Sequence, residues 1–145
     1  MTYVILRYLH LIALLFLSGG VIIENLATKA SIDSEDARNL ARVDAVCGLS
    51  VLLAASFGLT LWLLVGKASS FYWDNPVFHF KLGLFLLLLL AATGPALFYF
   101  RHRDFAGDSL EVPSAVRWCL RLELVLLLLL ASSAWMMSRG IGLPI

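Results

Sequence analysis

Four long stretches without a formal charge, residues 8–23, 45–66, 82–100 and 124–138, decide what this 145-residue chain can fold into. A helix needs about 20 apolar residues to cross the hydrocarbon core of a bilayer. Two of the stretches approach or exceed that length, and the other two reach it once the charged residues at their edges are included. Hydrophobic residues make up 61% of the chain and charged residues 14%, against about 25% charged in an ordinary soluble domain. A globule this small has no interior large enough to hide that much apolar side chain, so the surplus must face lipid. The expectation is an all-α polytopic membrane protein. It is a single domain of four transmembrane helices, at about residues 3–27, 42–65, 77–100 and 114–139, in an antiparallel bundle.

The first stretch has only a weak small-x-small match at Ser18 and Gly20 and a single basic residue, Arg7, ahead of it. It reads as a transmembrane helix rather than a cleaved signal. Between the first two helices lies KASIDSEDARNLARVD, in which Asp33 or Ser34 is placed to cap a helix whose first turn holds Glu35 and Asp36. That amphipathic start is expected to run into the second transmembrane helix without a break. The next connection, GKASSFYWDNP, is aromatic, as suits a segment at the headgroup level. In it Asp74 and Asn75 are good caps, and Pro76 fits the first position of the third helix. Pro95 predicts a kink near Ala91, because it lacks an N–H and crowds the carbonyl one turn back. Cys47 and Cys119 stand alone within helices, which points to buried small hydrophobes rather than a disulfide or a thiolate metal site.

Near the helix ends, Arg7, Lys67, Lys81 and Arg139 lie on one side, and Lys29, Arg38, Arg42, Arg101, Arg103, Arg117 and Arg121 on the other. The positive-inside rule then puts the first and third connections in the cytoplasm and both termini outside. The net charge of +1 offers no basic surface, and no nucleic-acid partner is expected. Lipid is the expected neighbour, and Gly19-Gly20 and the AATG stretch at 91–94 provide close-packing faces for a possible homo-oligomer.

Ionisable residues at membrane depth cost free energy and usually face the bundle interior or a cavity. They sort into two groups here. At the terminal end are Arg7, His10, His79, Lys81 and Arg139; at the other are Glu24, Arg42, Asp44, Arg101, Arg121 and Glu123. His10 and Glu24 are 14 residues apart, which returns them to within about 40° of one face of the first helix. His10 is therefore either a ligand or a side chain bonded to a neighbouring carbonyl. His79 and Lys81 are about 200° apart around the third helix, so one faces the bundle while the other reaches out. Arg121 and Arg139 share a face. The second group is nearly self-neutralising, so pairs such as Glu24–Arg121 or Asp44–Arg121 are expected to stitch the bundle, with a proton path as the alternative.

Imidazole at this depth suits haem iron. His10 and His79 lie in the same leaflet and are placed to ligate one haem b from two sides. Arg7, Lys81 and Arg139 would then neutralise its propionates.

The stretches RYLH, RVDAVCG and YWDNPVFHFKLGLF, with GP at 94–95, resemble a family of small bacterial four-helix membrane proteins of unknown function. More distantly, the chain resembles the HemJ-type protoporphyrinogen oxidases and the copper-resistance-D-like membrane proteins. The HemJ likeness rests on LH at His10 and on HFKL, with His79 and Lys81. It implies a haem-binding enzyme of the bacterial inner membrane that takes protoporphyrinogen IX to protoporphyrin IX and passes electrons to quinone. His10 would be a haem ligand, Lys81 a catalytic cation, and Arg139 the candidate counterpart of a fourth-helix arginine. The chain departs from that family in reading FLSGG on the first helix and LEVPSAVRW before the fourth. Beside the oxidase stand two rival functions, a b-type electron carrier and a structural or transport-associated membrane protein.

Overall fold

The computed structural model describes residues 1–142, the side chain of Ser69 apart. Helix α1 spans Thr2–Ala27, α2 Ser34–Thr60, α4 Pro76–His102 and α5 Ser114–Ser138. All four are long and apolar enough to cross a membrane. A five-residue helix, α3 (Ser69–Trp73), lies in the connection between α2 and α4. α1 packs on α2 and α5, and α4 packs on α5 and α2, so the four long helices form a closed square. Leu17, Val21, Cys47, Leu88, Ala91 and Leu126 meet in its centre. Val4, Leu15, Leu52, Leu64, Leu86 and Leu128 point outward and are exposed, as lipid-facing side chains must be.

The capping expectations hold in detail. The Asp33 carboxylate accepts the backbone N–H of Asp36 at 2.8 Å, and α2 then continues unbroken from its polar first turns into its apolar part. Asn75 caps α4 by accepting the N–H of Val77 at 2.9 Å, with Pro76 in the first turn. Fully buried, Asn75 also donates to the carbonyl of Ile141 at 3.3 Å, which ties the end of the chain to the start of α4. α4 remains helical through Pro95. α2 closes in a π-helical turn over Leu61–Val65. There Trp62 meets Trp73 and Phe78, with ring centroids 5.6 and 5.0 Å apart, and forms an aromatic cluster at the terminal end.

The opposite end differs from a pair of plain loops. The first and third connections form an antiparallel ribbon, β1 (Ser31–Ile32) with β2 (Leu110–Glu111), in which Ser31 faces Glu111 and Ile32 faces Leu110. Ile32 and Val112 turn inward onto Leu40, Phe98, Tyr99 and Leu120, so the ribbon caps the bundle with a second apolar cluster. Placing both connections at one end agrees with an antiparallel bundle of four crossings.

The close-packing faces are used inside the chain. A Cβ at Gly20 would collide with the Cys47 sulfur, so the absence of a side chain lets α1 and α2 approach. A Cβ at Gly94 would meet the Cys119 sulfur only in ordinary van der Waals contact, at 3.5 Å, and Gly19 has open space beside it. Cys47 and Cys119 are both free, the first buried.

Candidate functional site

At the terminal end, His10 is half-buried on α1 and turned toward α2. Its Nδ1 lies 2.8 Å from the carbonyl oxygen of Ala54. Gly58, one turn further along α2, leaves room for the ring, since a Cβ there would come within 3.1 Å of the imidazole Cε1. With Nδ1–H donating to the carbonyl, Nε2 is the ring nitrogen with a free lone pair. This is how metal-ligating histidines are usually held. The carbonyl bond, one of the two alternatives for His10, is present, and it leaves Nε2 without a hydrogen-bond partner among the described residues.

Of the pair on α4, Lys81 is the residue that turns in. It is half-buried and near enough for its charge to act on the His10 imidazole. His79 is exposed, with Nε2 2.9 Å from the Trp73 carbonyl and its ring against Trp73 and Phe78. α1 and α4 occupy opposite corners of the square. The structure therefore turns Lys81 toward the bundle interior and leaves His79 on its outside. Arg7 is exposed, and Arg139 is exposed just past the end of α5, its guanidinium 5.5 Å from the Trp135 ring centroid.

In the other half of the bundle, the expected charge stitching is absent. Among the described residues, ion pairing is confined to neighbours Arg103 and Asp104, 3.3 Å apart on the surface. Neither Glu24–Arg121 nor Asp44–Arg121 forms. The reason is helical geometry: Arg42 and Asp44, and likewise Arg121 and Glu123, are two residues apart and so about 200° around their helices. Packing turns each acid inward, and each arginine is carried out. Arg42 and Arg121 are exposed, the latter with its guanidinium 5.1 Å from the Trp118 ring centroid, and Arg101 is exposed as well.

What remains inside is a group of carboxyls. Glu24 on α1 is 1% exposed and Glu123 on α5 is 3% exposed. In each, Oε1 is buried with no hydrogen-bond partner among the described residues. Asp44 on α2 is half-buried, and all three carboxyl groups are close enough for their charges to act on one another. The Cys47 thiol lies against Glu24. Toward the ribbon, the hydroxyls of Thr28 and Tyr99, both buried, are 2.6 Å apart. Asn25 donates to the carbonyl of Leu120 at 2.9 Å and thereby clips α1 to α5. Sequence reasoning missed Tyr99 and Thr28, because neither a tyrosine near a helix end nor a threonine after one is unusual without its partner.

A cavity of about 90 Å³ opens beside this group, lined by Asn25, Thr28, Arg117, Leu120 and Arg121, and a larger one of about 340 Å³ lies against the third connection at Arg38 and Phe105. Neither touches His10 or His79. No curated protein and no solved structure matches this chain. Over residues 2–142, essentially the whole bundle, it matches the family described as "Predicted membrane protein (DUF2214)", and to that family the chain belongs.

Proposed function

We propose that the protein is a membrane-embedded redox protein that binds one b-type haem through His10. The observation that carries this reading is the tether of His10 Nδ1 to the Ala54 carbonyl, which orients an imidazole at membrane depth and leaves Nε2 to coordinate. Lys81 supports it as a half-buried cation at the same end of the bundle, suited to a propionate or to another carboxylate on a tetrapyrrole. Bound haem supplies one-electron redox chemistry whose potential follows its ligand and the burial of the site. His79 does not fit as the second ligand in this arrangement, because its Nε2 is engaged by Trp73 and its ring lies on the outside of the bundle.

Two forms of the function share this site. One is oxidation of protoporphyrinogen IX, with electrons passed to quinone, in which Lys81 and Arg139 serve the substrate carboxylates. The other is an electron carrier with no porphyrinogen site. The absorbance spectrum of protein purified from haem-replete cells tests what both require. A Soret band that His10→Ala removes and His79→Ala retains is the expected result; a colourless preparation overturns both forms. Quinone-dependent consumption of porphyrinogen above the rate given by free haem, lost in Lys81→Ala, distinguishes the oxidase from the carrier.

A further inference from the structure

Glu24 and Glu123 sit on neighbouring helices with almost no exposure, and each has an unpartnered oxygen in the bundle interior. Glu123 is nine residues into α5, about 13 Å along its axis, inside a helix long and apolar enough to cross a membrane. Bare carboxylates at that depth cost several kcal/mol each unless paired. Among the described residues, the groups facing the pair include no cation, and the only donor against Glu24 is a weak one. They are Asp44 and the Cys47 thiol from α2 and the Tyr99 phenol from α4. Arg117 and Arg121 line the neighbouring cavity instead, and Arg117 leaves its buried Nε without a partner. The carboxyls do not converge closely enough with any third His, Cys, Asp or Glu to hold a metal ion among the described residues. The one cation that neutralises such a buried carboxyl without a ligand cage is a proton, carried as the carboxyl's own O–H.

We propose that Glu24 and Glu123 are a proton-binding pair within the membrane, in exchange with water at the ribbon end through Tyr99 and Thr28. Thr28 lines the cavity, which is roomy enough for water. Its hydroxyl is bonded to that of Tyr99 at 2.6 Å, and Tyr99 is within electrostatic reach of all three carboxyls. A proton taken from water at the cavity passes along the two hydroxyls, each giving up one proton as it accepts another, and crosses to a carboxylate oxygen through a bridging water, since no hydrogen bond joins Tyr99 to a carboxyl among the described residues. Toward the terminal end, the bundle next to the pair is filled by Leu17, Leu84, Leu126 and Leu130, which provide no such path. The pair is independent of haem: it stands or falls whether or not a Soret band is found.

The test uses the full-length protein in its own membranes. Dicyclohexylcarbodiimide, an apolar reagent, adds across its C=N bond the O–H of a carboxyl that carries a proton, and the adduct rearranges to a stable N-acylurea. Mass spectrometry after treatment at neutral pH is expected to find the adduct on Glu24 or Glu123 and not on Asp33 or Glu35. An unmodified Glu24 and Glu123 overturns the proposal without any variant having to fold. In infrared spectra of the reconstituted protein, the C=O band of a protonated carboxyl is expected at neutral pH and to be lost in Glu24→Gln/Glu123→Gln. Its shift on transfer to D2O is expected to slow about fivefold or more in Tyr99→Phe and Thr28→Val, the effect on a barrier of roughly one lost hydrogen bond. Absence of the band overturns the pair, and unchanged exchange in both hydroxyl variants overturns the route.

Discussion

His10 on α1 and Ala54 on α2 are joined by a hydrogen bond of 2.8 Å between the imidazole Nδ1 and a backbone carbonyl in the interior of the bundle. The bond fixes the ring and is itself an interhelical contact, so it separates cofactor chemistry from packing only if both are measured. In membranes such bonds are worth about 0.6 kcal/mol on average, because the unfolded chain also finds partners. His10→Ala is therefore expected to lower stability by about 1 kcal/mol at most in detergent unfolding while removing any haem spectrum. A loss of several kcal/mol would make His10 chiefly a structural residue. Gly58→Ala, which places a methyl 3.1 Å from the His10 Cε1, should displace the ring and weaken the same spectrum with the fold intact.

Gly19 and Gly20 are adjacent yet should respond oppositely to substitution. Gly20 faces the Cys47 sulfur and Gly19 faces open space. Gly20→Val is expected to cost about 1–3 kcal/mol by forcing α1 from α2. Gly19→Val should be within about 0.5 kcal/mol of the parent, as for other outward positions. Thermal unfolding in one detergent compares them; equal losses would mean that α1 is rotated differently from the structure.

Thr28 and Tyr99 share a buried bond of 2.6 Å between the end of α1 and α4. Tyr99→Phe and Thr28→Val should each cost about 1 kcal/mol. The double variant should cost clearly less than the sum, because either change alone strands the other hydroxyl. Additive losses would show that the two hydroxyls do not act as a pair.

Ser31 and Glu111 face each other in the ribbon although 80 residues separate them in the chain. Facing residues of an antiparallel pair have Cα atoms about 4.5–5.5 Å apart, within the range a disulfide spans. With Cys47 and Cys119 replaced by Ala, Ser31→Cys/Glu111→Cys is expected to cross-link on mild oxidation. A control pairing Ser31→Cys with Lys67→Cys, from the connection that follows α2 and its π-helical turn, should stay reduced. The same single cysteines, labelled with a membrane-impermeant maleimide, are expected to report one common side for the first and third connections.

Much of the fold was legible along the chain. The apolar stretches are long enough to show as helices by length alone, and Asp33, Asn75 and Pro76 act locally, so their roles survive without knowledge of any neighbour. The ribbon was not legible, because two-residue strands carry no periodicity and exist only where the first and third connections meet. The π-helical turn at Leu61–Val65 and the helix Ser69–Trp73 are likewise set by aromatic packing of Trp62, Trp73 and Phe78 rather than by a local signal.

The sites divide along the same line. The positions of His10, Lys81, Glu24 and Glu123 within or at the edges of the long apolar stretches showed from the sequence alone that each needs a reason to be there, because lipid gives polar groups no partner. Three pairs, Arg42 with Asp44, His79 with Lys81 and Arg121 with Glu123, each hold two polar residues on opposite faces of one helix. No local rule says which member turns inward. Only the packing of four helices into a closed square fixed the rotation of each. It turned Asp44, Lys81 and Glu123 inward and carried Arg42, His79 and Arg121 out. An expected set of ion pairs thereby became a group of carboxyls without a cation.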